Sequence, residues 1–595
     1  MPGHPSMLLL TLRVLMLYHY QSHGTFYNPN TVGRNGEVYC HGRLLETVQM
    51  ARIFNDSKTF VDMKMKQNPD ATLKLFDDFM EKYEQGSTPP KEDVLKWVED
   101  NFEARGTEFE QWIPDDFTKS PAILNKIKDK DFRNFAEELN GIWLELGRKM
   151  KKDVADNPEL YSIIHVENPV IVPGGRFLEF YYWDSYWIIR GLLLSEMTNT
   201  AQGMLKNFFS IVDRFGFIPN GGRIYYSMRS QPPLLTPMVK TFVDTTGNKQ
   251  FAISSVDILA REFDYWMTNH TVMVKGHRMA IYGDQSSGPR PESYREDIET
   301  GKDFKTEQER ENHSSELKAA AESGMDFSSR WFINENGTNE GDLTNLKTRS
   351  IVPVELNAIL YWNAKIISEF YGYKGDTLKQ VLYLKYSEEF LKGVEAVLWN
   401  EEAGIWLDYD MINNKSRNYF VATNLSPLWM RCYLPARRQL IANHVIKYIE
   451  EQKLDDYPGG VPTTMLQSGE QWDWPNVWAP FQHLLIVGLD NLDDDRTKAV
   501  AQEWAQRWVQ GNHIAFIETG AMFEKYLATE LGGHGGGGEY EVQKGFGWSN
   551  GVILDLLDRY GSTITAASGK VGKLSVYTGL AAIITTMLSS VRWFL

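Results

Sequence analysis

The sequence predicts an all-α fold shaped as a toroid, with an inner ring of helices inside an outer ring. Apolar residues recur at three- and four-residue spacing through most of the chain, which is the period of an amphipathic helix. Many of these helices are apolar on more than one side, so they should be buried between two layers. Convincing strands are few. A helical-repeat solenoid would contain similar helices, but the sequence has no constant repeat length.

About ten to twelve helices follow from these periodic segments. In chain order, the clearest segments are 132–150, 185–216, 256–270, 354–372, 377–399, 438–451, 477–489, 498–510 and 548–561. No Pro- or Ser-rich linker divides them, so we predict a single domain from about residue 25 to residue 562. The loops between the helices are rich in Gly, Pro, Trp and Asp, and a toroid would gather them at one mouth.

Composition and charge narrow the function. The chain of 595 residues is 42% hydrophobic and 24% charged, the balance of a globular protein with a sizeable core. Its net charge of −16 argues against nucleic acid or an anionic membrane surface as the main partner. Its 18 Trp cluster in motifs that also carry carboxylates. Such rings either fill a core or offer flat faces on which sugars stack.

The two ends of the chain suggest export. Residues 1–24 contain an apolar run, interrupted by Arg13, that resembles a signal peptide or another N-terminal hydrophobic segment. The tail, 563–595, contains a weakly apolar stretch from Leu574 that is marginal for a spanning helix of about 20 residues. A membrane anchor, a lipid-attachment signal and an amphipathic surface tail are the alternatives. We expect a secreted or cell-surface protein, with membrane attachment through this tail favoured.

Sequons and cysteines bear on the same question. N-x-S/T sequons begin at Asn55, Asn269, Asn312, Asn336, Asn414 and Asn424. Several sequons would arise by chance in a chain of this length, so they support export only together with the terminal segments. The two cysteines, Cys40 and Cys432, are too few for a disulfide framework. One long-range bridge and two free thiols are both compatible with the sequence.

Five loops break the helical rhythm and share one composition, rich in acidic residues, Arg, aromatic residues and Gly. They are residues 172–187, 218–233, 288–297, 322–331, and the pair 469–482 with 522–526. A carboxyl group among aromatic residues and glycines is poorly solvated, so its pKa should rise. Glycoside hydrolysis uses one protonated carboxyl group as an acid and one ionised group as a base or nucleophile. Asp326 in SGMDFSS and Glu524 in MFEKY have such surroundings and are the candidate pair.

Three arginines, Arg176, Arg229 and Arg290, lie in glycine- or proline-bearing loops beside aromatic residues. Guanidinium groups are forked donors that suit sugar hydroxyls, and they also hold carboxylates ionised. A second interpretation, in which each arginine braces its loop by pairing with a buried carboxylate, fits the sequence equally well.

Other chemistries have weaker support. The 12 His form no HExxH or paired-ligand spacing and the two Cys lie far apart, so no metal is predicted. The glycine-rich stretch 531–548, LGGHGGGGEYEVQKGFGW, is the one candidate phosphate loop. It lacks the Gly-Lys-Ser/Thr ending and follows no apolar strand, which argues against a nucleotide site.

These motifs resemble the trehalases of glycoside hydrolase family 37. PGGRFLEFYYWDSYW and QWDWPNVWAPFQ are similar to the two signature stretches of that family, and RSQPP, RPES, SGMDFSSRW, EKY and GGGGEYEVQKGFGW match in order. The resemblance covers roughly residues 36–558 and includes a start typical of animal members. It implies an (α/α)6 barrel with the active site at one mouth, no metal or cofactor, and inverting hydrolysis of α,α-trehalose to two glucose molecules.

The resemblance also implies roles for individual residues. Asp326 would be the general acid, and Glu524 the general base that activates water. The site arginines would be Arg176, Arg229 and Arg290. The further sugar-binding positions would be Phe177, Trp183, Asn220, Gln231, Glu292, Gly324, Glu539 and Tyr540. Trp472, Asp473 and Trp478 lie in the second signature, and the sequence does not fix which tryptophan faces the substrate. Independently of the resemblance, we interpret the glycines of the stretch 531–548 as a lid over the pocket, because they let the backbone pass close to a small ligand and open again.

Two positions depart from the family pattern. Met325 stands where Trp usually precedes the acid, and Leu527 stands where Asp usually follows EKY. Neither change removes a catalytic group, but both leave room for alternatives. One alternative is a silent sugar-binding paralogue, and the other is an inverting glucosidase of different specificity.

Overall fold

The chain folds into a barrel built from helices. The computed structural model describes residues 33–84, 86–284 and 286–566. In chain order the helices are α1 Gly36–Tyr39, α2 Arg43–Met50, α3 Lys58–Val61, α4 Pro69–Met80, α5 Lys91–Asn101, α6 Lys130–Leu146, α7 Lys152–Asp156, α8 Asp184–Leu194, α9 Thr198–Phe215, α10 Leu235–Thr246, α11 Lys249–Asn269, α12 Tyr294–Thr300, α13 Glu307–Glu322, α14 Val354–Lys374, α15 Thr377–Gly393, α16 Ser426–Met430, α17 Arg438–Glu451, α18 Ala479–Asn491, α19 Asp495–Thr519 and α20 Gly547–Tyr560.

Six helices form a closed inner ring. Around the ring, each packs on the next in the order α8, α10, α14, α16, α18 and α20, and α20 packs back on α8. The outer helices α6, α9, α11, α15 and α19 pack on this ring, while α17 lies against α19. The predicted all-α (α/α)6 barrel is therefore confirmed.

The sequence of an inner helix explains its position. In α18, every residue from Ala479 to Leu489 is buried, because the helix is apolar on nearly all sides and contacts neighbours on nearly all sides. Pro480 lies in its first turn, where the missing N–H group costs nothing. The loop that enters this helix carries Trp472 and Trp478, so the start of the helix lies at the loop-bearing mouth.

The structure differs from the predicted segments in two ways. The segment 185–216 is two helices, α8 and α9, because the chain turns between them at Glu196, which has a φ of 63°. The inner helices α10 and α16 were not among the predicted segments. Helix α16 has only five residues, too few to show a helical period.

The strands are short and connect loops rather than build a core. They are β1 Lys64–Met65, β2 Phe102–Glu103, β3 Phe109–Gln111, β4 Gly147–Met150, β5 Val170–Ile171, β6 Thr271–Val274, β7 His277–Ala280, β8 Ile351–Val352, β9 Trp399–Asn400, β10 Ile405–Trp406, β11 Tyr409–Asp410, β12 Lys415–Ser416, β13 Asn476–Trp478 and β14 Lys525–Leu527. Strands β13 and β14 pair antiparallel, with Trp478 opposite Lys525. This pairing brings the loop 469–482 beside the segment 522–526.

Residues 36–103 form a helical layer at the mouth, with an apolar cluster of its own that includes Phe60. The layer packs on Tyr181 and on the turn Ile224–Tyr226 from the barrel loops. Buried ion pairs join the two parts, since Lys58 Nζ lies 2.7 Å from Glu179 Oε1. The N-terminal layer is therefore in direct contact with the loops that carry the predicted site.

The predictions about the chain ends mostly concern residues outside the described part. The segment 1–24 and the apolar stretch from Leu574 both lie outside it. Among the described helices, none combines the length and apolar character that crossing a bilayer requires. Cys40 and Cys432 are buried free thiols, so the bridge left open by the sequence does not form.

The crossing of α8 and α20 leads to a stability prediction. A Cβ atom on Gly551 would lie 2.0 Å from the main-chain oxygen of Trp187 on α8. Gly551→Ala should push the two helices apart and lower the free energy of unfolding by about 1–3 kcal/mol. Denaturant unfolding of the purified full chain measures this change.

The matched control is Gly141→Ala on α6, because a Cβ atom there would meet nothing within 4 Å beyond its chain neighbours and the backbone of its own helix. Alanine is the better helix former, so this variant should be stabilised by up to about 1 kcal/mol. If both variants had the same stability, the close approach of α8 and α20 would be contradicted.

Candidate active site

A cavity opens at the mouth of the barrel, where the loops that enter the inner helices meet. It is lined by the predicted residues Arg176, Phe177, Trp183, Asn220, Arg229, Gln231, Arg290, Glu292, Gly324, Asp326, Trp472, Glu524, Glu539 and Tyr540. Charged groups and aromatic rings therefore share one enclosed space. Of the predicted site residues, only Asp473 and Trp478 lie outside its wall.

The acid candidate follows the end of α13. Gly324 makes the turn with a φ of 78°, and a Cβ atom there would lie 2.8 Å from the Trp183 ring, so glycine fits both requirements. The Asp326 main-chain oxygen accepts a hydrogen bond from Gln471 Nε2 at 2.6 Å. Its carboxyl group lies 3.8 Å from Arg290 Nη1. Burial raises the pKa of Asp326 to about 7 although Arg290 opposes the shift.

The base candidate lies directly before β14. Glu524 is 2% exposed, and its Oε1 accepts a hydrogen bond from the Tyr540 hydroxyl at 2.8 Å. Its main chain is also fixed, since Trp548 Nε1 donates to the Glu524 carbonyl at 3.0 Å. Burial raises the pKa of Glu524, while the charge of Lys525 and the Tyr540 hydrogen bond act in the opposite direction. Glu524 is therefore buried, but it also has two neighbours, Lys525 and Tyr540, that favour its ionised form.

Each site arginine lines the cavity and also pairs with a carboxylate. Arg176 donates to both oxygens of Asp56, at 3.0 and 2.7 Å. Arg229 donates to Glu292. The two roles that the sequence left open for these side chains are thus compatible, because a guanidinium group has five N–H donors.

Arg290 connects more groups than the other two arginines. Its Nη2 donates to Asp297 at 2.6 Å and to Glu539 at 2.8 Å. Its guanidinium carbon lies 4.8 Å from the centre of the Phe327 ring, next to the acid. Ser293 Oγ donates to the second oxygen of Glu539 at 3.2 Å. Glu539, and with it the glycine-rich stretch, is therefore tied to the loop 288–297.

Aromatic rings form the apolar part of the wall. The Trp183 ring lies 5.7 Å, centre to centre, from both Trp472 and Trp548. On the other side, Phe177 meets Tyr540 edge to face at 5.6 Å. Such rings exclude water and leave faces on which a sugar ring can pack.

Two smaller polar residues complete the predicted set. The Asn220 side-chain oxygen accepts a hydrogen bond from Arg229 Nε at 3.1 Å. The Gln231 side-chain oxygen accepts one from the main-chain N–H of Trp183 at 3.1 Å. Their NH2 groups thus remain as donors at the cavity wall.

Asp473 and Trp478 lie behind the residues that line the cavity. Asp473 is fully buried and accepts hydrogen bonds from the Ser328 hydroxyl and the Ser329 N–H, both at 2.7 Å. Trp478 stacks on Trp472 with ring centres 3.7 Å apart. Of the two tryptophans that the sequence left open, Trp472 lines the cavity and Trp478 packs behind it. Asp473 fixes the loop that follows the acid.

The structure adds residues that the sequence reasoning missed. Asp184 and Lys58 line the cavity, and Asp56 holds Arg176. Asp184 belongs to the noted stretch 172–187, so its composition was a usable signal. Burial, together with the charges of Glu524 and Asp326, raises the pKa of Asp184 well above its ordinary value. Asp56 and Lys58 come from the N-terminal layer, and no local pattern connects them to the site.

The departures from the family pattern leave the cavity wall intact. Met325 is 1% exposed and faces a second, small and apolar cavity behind Trp183. Leu527 uses its main chain, since its N–H donates to the Gly533 carbonyl at 2.8 Å. In the glycine-rich stretch, His534 is exposed and stacks on Phe523. No group of three or more His, Cys, Asp or Glu in the described residues could hold a metal ion.

Known proteins match the chain across this whole region. The family model described as Trehalase matches residues 52–561. The chain is 56% identical to the trehalase of Apis mellifera, over 89% of this chain and 85% of that protein. It is 43% identical to the trehalase of Homo sapiens, over 93% and 94% of the two chains.

A solved structure agrees with these relatives. The neutral trehalase of Saccharomyces cerevisiae superposes with a TM-score of 0.52 at 25% identity, covering 66% of this chain and 73% of that one. The region matched by the family model contains both rings of helices and every residue that lines the cavity. The chain belongs to the trehalase family.

Proposed function

We propose that this protein hydrolyses α,α-trehalose to two glucose molecules with inversion at one anomeric carbon, in trehalose catabolism. The observation that carries the proposal is one cavity with two carboxyl groups in unlike surroundings. Asp326 has a pKa raised to about 7, whereas Glu524 is flanked by a lysine and accepts a tyrosine hydrogen bond. The trehalase relatives, which match over nearly the whole chain, support trehalose as the substrate.

The proposed reaction is a single displacement. Asp326 donates its proton to the oxygen that bridges the two glucose units, and the bond from this oxygen to one anomeric carbon breaks. Glu524 takes a proton from a water molecule, whose oxygen forms the new bond at that carbon from the opposite face. One glucose leaves with the bridging oxygen, and the other carries the water oxygen. Asp326 ends ionised and Glu524 protonated, and exchange with solvent restores both.

The remaining wall residues have binding roles in this scheme. The arginines and the amides of Asn220 and Gln231 donate hydrogen bonds to sugar hydroxyls. Trp183 and Trp472 pack on the sugars and keep other water away. The cavity combines aromatic rings with a few convergent polar groups, which is the usual make-up of a small-molecule site. The silent paralogue is not favoured, since both carboxyl groups and all three arginines are present.

We further propose that the protein is exported, either secreted or held at the cell surface. The sequons at Asn55, Asn269, Asn312, Asn336 and Asn414 are exposed. Surface sequons can accept glycans without disturbing the barrel. The apolar segments at the two ends of the chain are the further support for this proposal, and the C-terminal one would serve as the membrane anchor.

The first prediction concerns the two carboxyl groups. Asp326→Asn and Glu524→Gln should each lower kcat on trehalose by about 10²–10⁴-fold while the protein stays folded. Glucose release is the assay, with maltose and other glucosides tested in parallel. The control is Glu541→Gln, because Glu541 is exposed and lies outside the catalytic cavity. Near-normal turnover by either catalytic variant would refute its assigned role, and faster cleavage of another glucoside would refute the substrate.

The second prediction is a bell-shaped dependence of kcat/KM on pH. The rate should fall as pH rises through about 7, because Asp326 has to be protonated. It should also fall towards acid pH, beginning above the ordinary glutamate range, because Glu524 has to be ionised and burial raises its pKa. In Asp326→Asn the residual activity should lack the alkaline limb. An unchanged alkaline limb would show that another group is the acid.

The third prediction is that the six sequons differ in whether they carry a glycan. Asn424 is fully buried and its side chain donates to the Tyr419 carbonyl at 2.9 Å, so a glycan there would prevent the loop from packing. After expression in a secreting eukaryotic host, glycopeptide mass spectrometry should detect glycans at exposed sequons and none at Asn424. A glycan on Asn424 in active enzyme would contradict its burial. A secreted, active protein without any glycan would remove the sequons as support for export.

A further inference from the structure

Lys525, the residue after the proposed base, is fully buried, which is unusual for a lysine. Its ammonium group donates to Gln471 Oε1 and to the Gly537 carbonyl, both at 3.0 Å. Both acceptors are neutral, and within the described chain Lys525 forms no ion pair. A buried cation without a paired carboxylate is costly, so its retention needs a reason.

The two acceptors belong to the segments that carry the proposed chemistry. Gln471 also donates from Nε2 to the main-chain oxygen of Asp326 at 2.6 Å. Gly537 lies in the glycine-rich stretch, two residues before Glu539. Lys525 therefore joins three segments. They are the loop 322–331 with Asp326 (the acid loop), the segment 524–527 with Glu524 and β14 (the base strand), and the glycine-rich stretch.

The same ammonium group is the cation closest in sequence to the base. The groups that face it are the aromatic rings of Trp478, at 5.3 Å, and Tyr540, at 6.0 Å, together with the two catalytic carboxyl groups. Glu524 is further surrounded by Arg176, which packs over the Tyr540 ring, and by the Gln543 N–H. Burial lowers the pKa of Lys525 to about 8, against the charges of Glu524 and Asp326, so the ammonium form predominates at neutral pH.

We propose that Lys525 is a positioning residue for the hydrolysis: it holds the acid loop, the base strand and the glycine-rich stretch together, and its positive charge keeps the Glu524 carboxylate ionised. The inference rests on the proposed acid and base roles. It explains why the cation has no carboxylate partner. Another carboxylate in direct contact with the ammonium group would cancel most of its effect on Glu524. Hydrogen bonds to neutral oxygens leave the positive charge free to act there.

The test compares Lys525→Met and Lys525→Arg in the full-length protein. Lys525→Met should lower kcat on trehalose by about 10–100-fold, because the cation and both tethers are lost. Its acid limb in the pH–rate profile should move up by about one pH unit, because Glu524 loses a cation that favours the ionised form. Lys525→Arg keeps the charge, so its acid limb should stay in place even if kcat falls through imperfect fit.

The matched control is Lys544→Met, which removes an exposed lysine lying 6.0 Å from the Phe523 ring in the same region. Its profile should equal that of the wild type, because solvent screens an exposed charge. If Lys525→Met does not fold, Lys525→Gln replaces it, since glutamine loses the charge but can still donate to Gly537.

The outcomes separate this inference from the proposed function. Wild-type protein that releases no glucose from trehalose would refute the function. Active wild type with an unmoved acid limb in the neutral variants would overturn the role of Lys525, and a fall in thermal stability alone would mark a purely structural lysine. A moved limb in Lys525→Met that Lys525→Arg restores would support the proposal.

Discussion

Closure of the inner ring between α8 and α20 is the contact on which the rest of the structure depends. These helices approach closely because Gly191 and Gly551 carry no side chain at the crossing. Once the ring is closed, the loops that enter its helices lie at the same mouth. Asp184 begins α8, and Phe546 directly precedes α20, so both ends of this contact lead into the cavity. A looser crossing of α8 and α20 would therefore displace two walls of the site at once.

Burial of charge at the mouth sets the second constraint. Removing a charge from water is costly unless it is paired, and the arginines of the cavity are all paired with carboxylates. Asp326 and Glu524 differ from these arginines, because neither carboxyl group has a close ion-pair partner of its own. Arg290 stands 3.8 Å from Asp326, and its other bonds are to Asp297 and Glu539. The pairing of the arginines therefore leaves Asp326 with a raised pKa, which suits its proposed role as proton donor.

The sequence predicted what local pattern encodes and missed what distant contacts create. Long amphipathic helices such as α14 follow from period alone, whereas the five-residue α16 is defined only by its neighbours. The loops near the acid and the base were found from their composition. Asp56 was not, because it reaches Arg176 from 120 positions away. The sequence could not show that Asp473 lies behind the cavity wall, because a carboxylate beside tryptophans has the same local pattern in either place.

The position of Met325 decides what its departure from the family pattern can do. Its side chain is buried behind Trp183, its sulfur accepts a hydrogen bond from Arg330 Nη1 at 3.2 Å, and it does not line the catalytic cavity. The charges that act on the pKa of Asp326 are those of Arg290, Glu539 and Arg229, and Met325 carries none. Methionine is flexible and fills irregular space. An effect of Met325 on catalysis would therefore be indirect, through the packing of Trp183, which lines both cavities, or through the position of the next residue, Asp326.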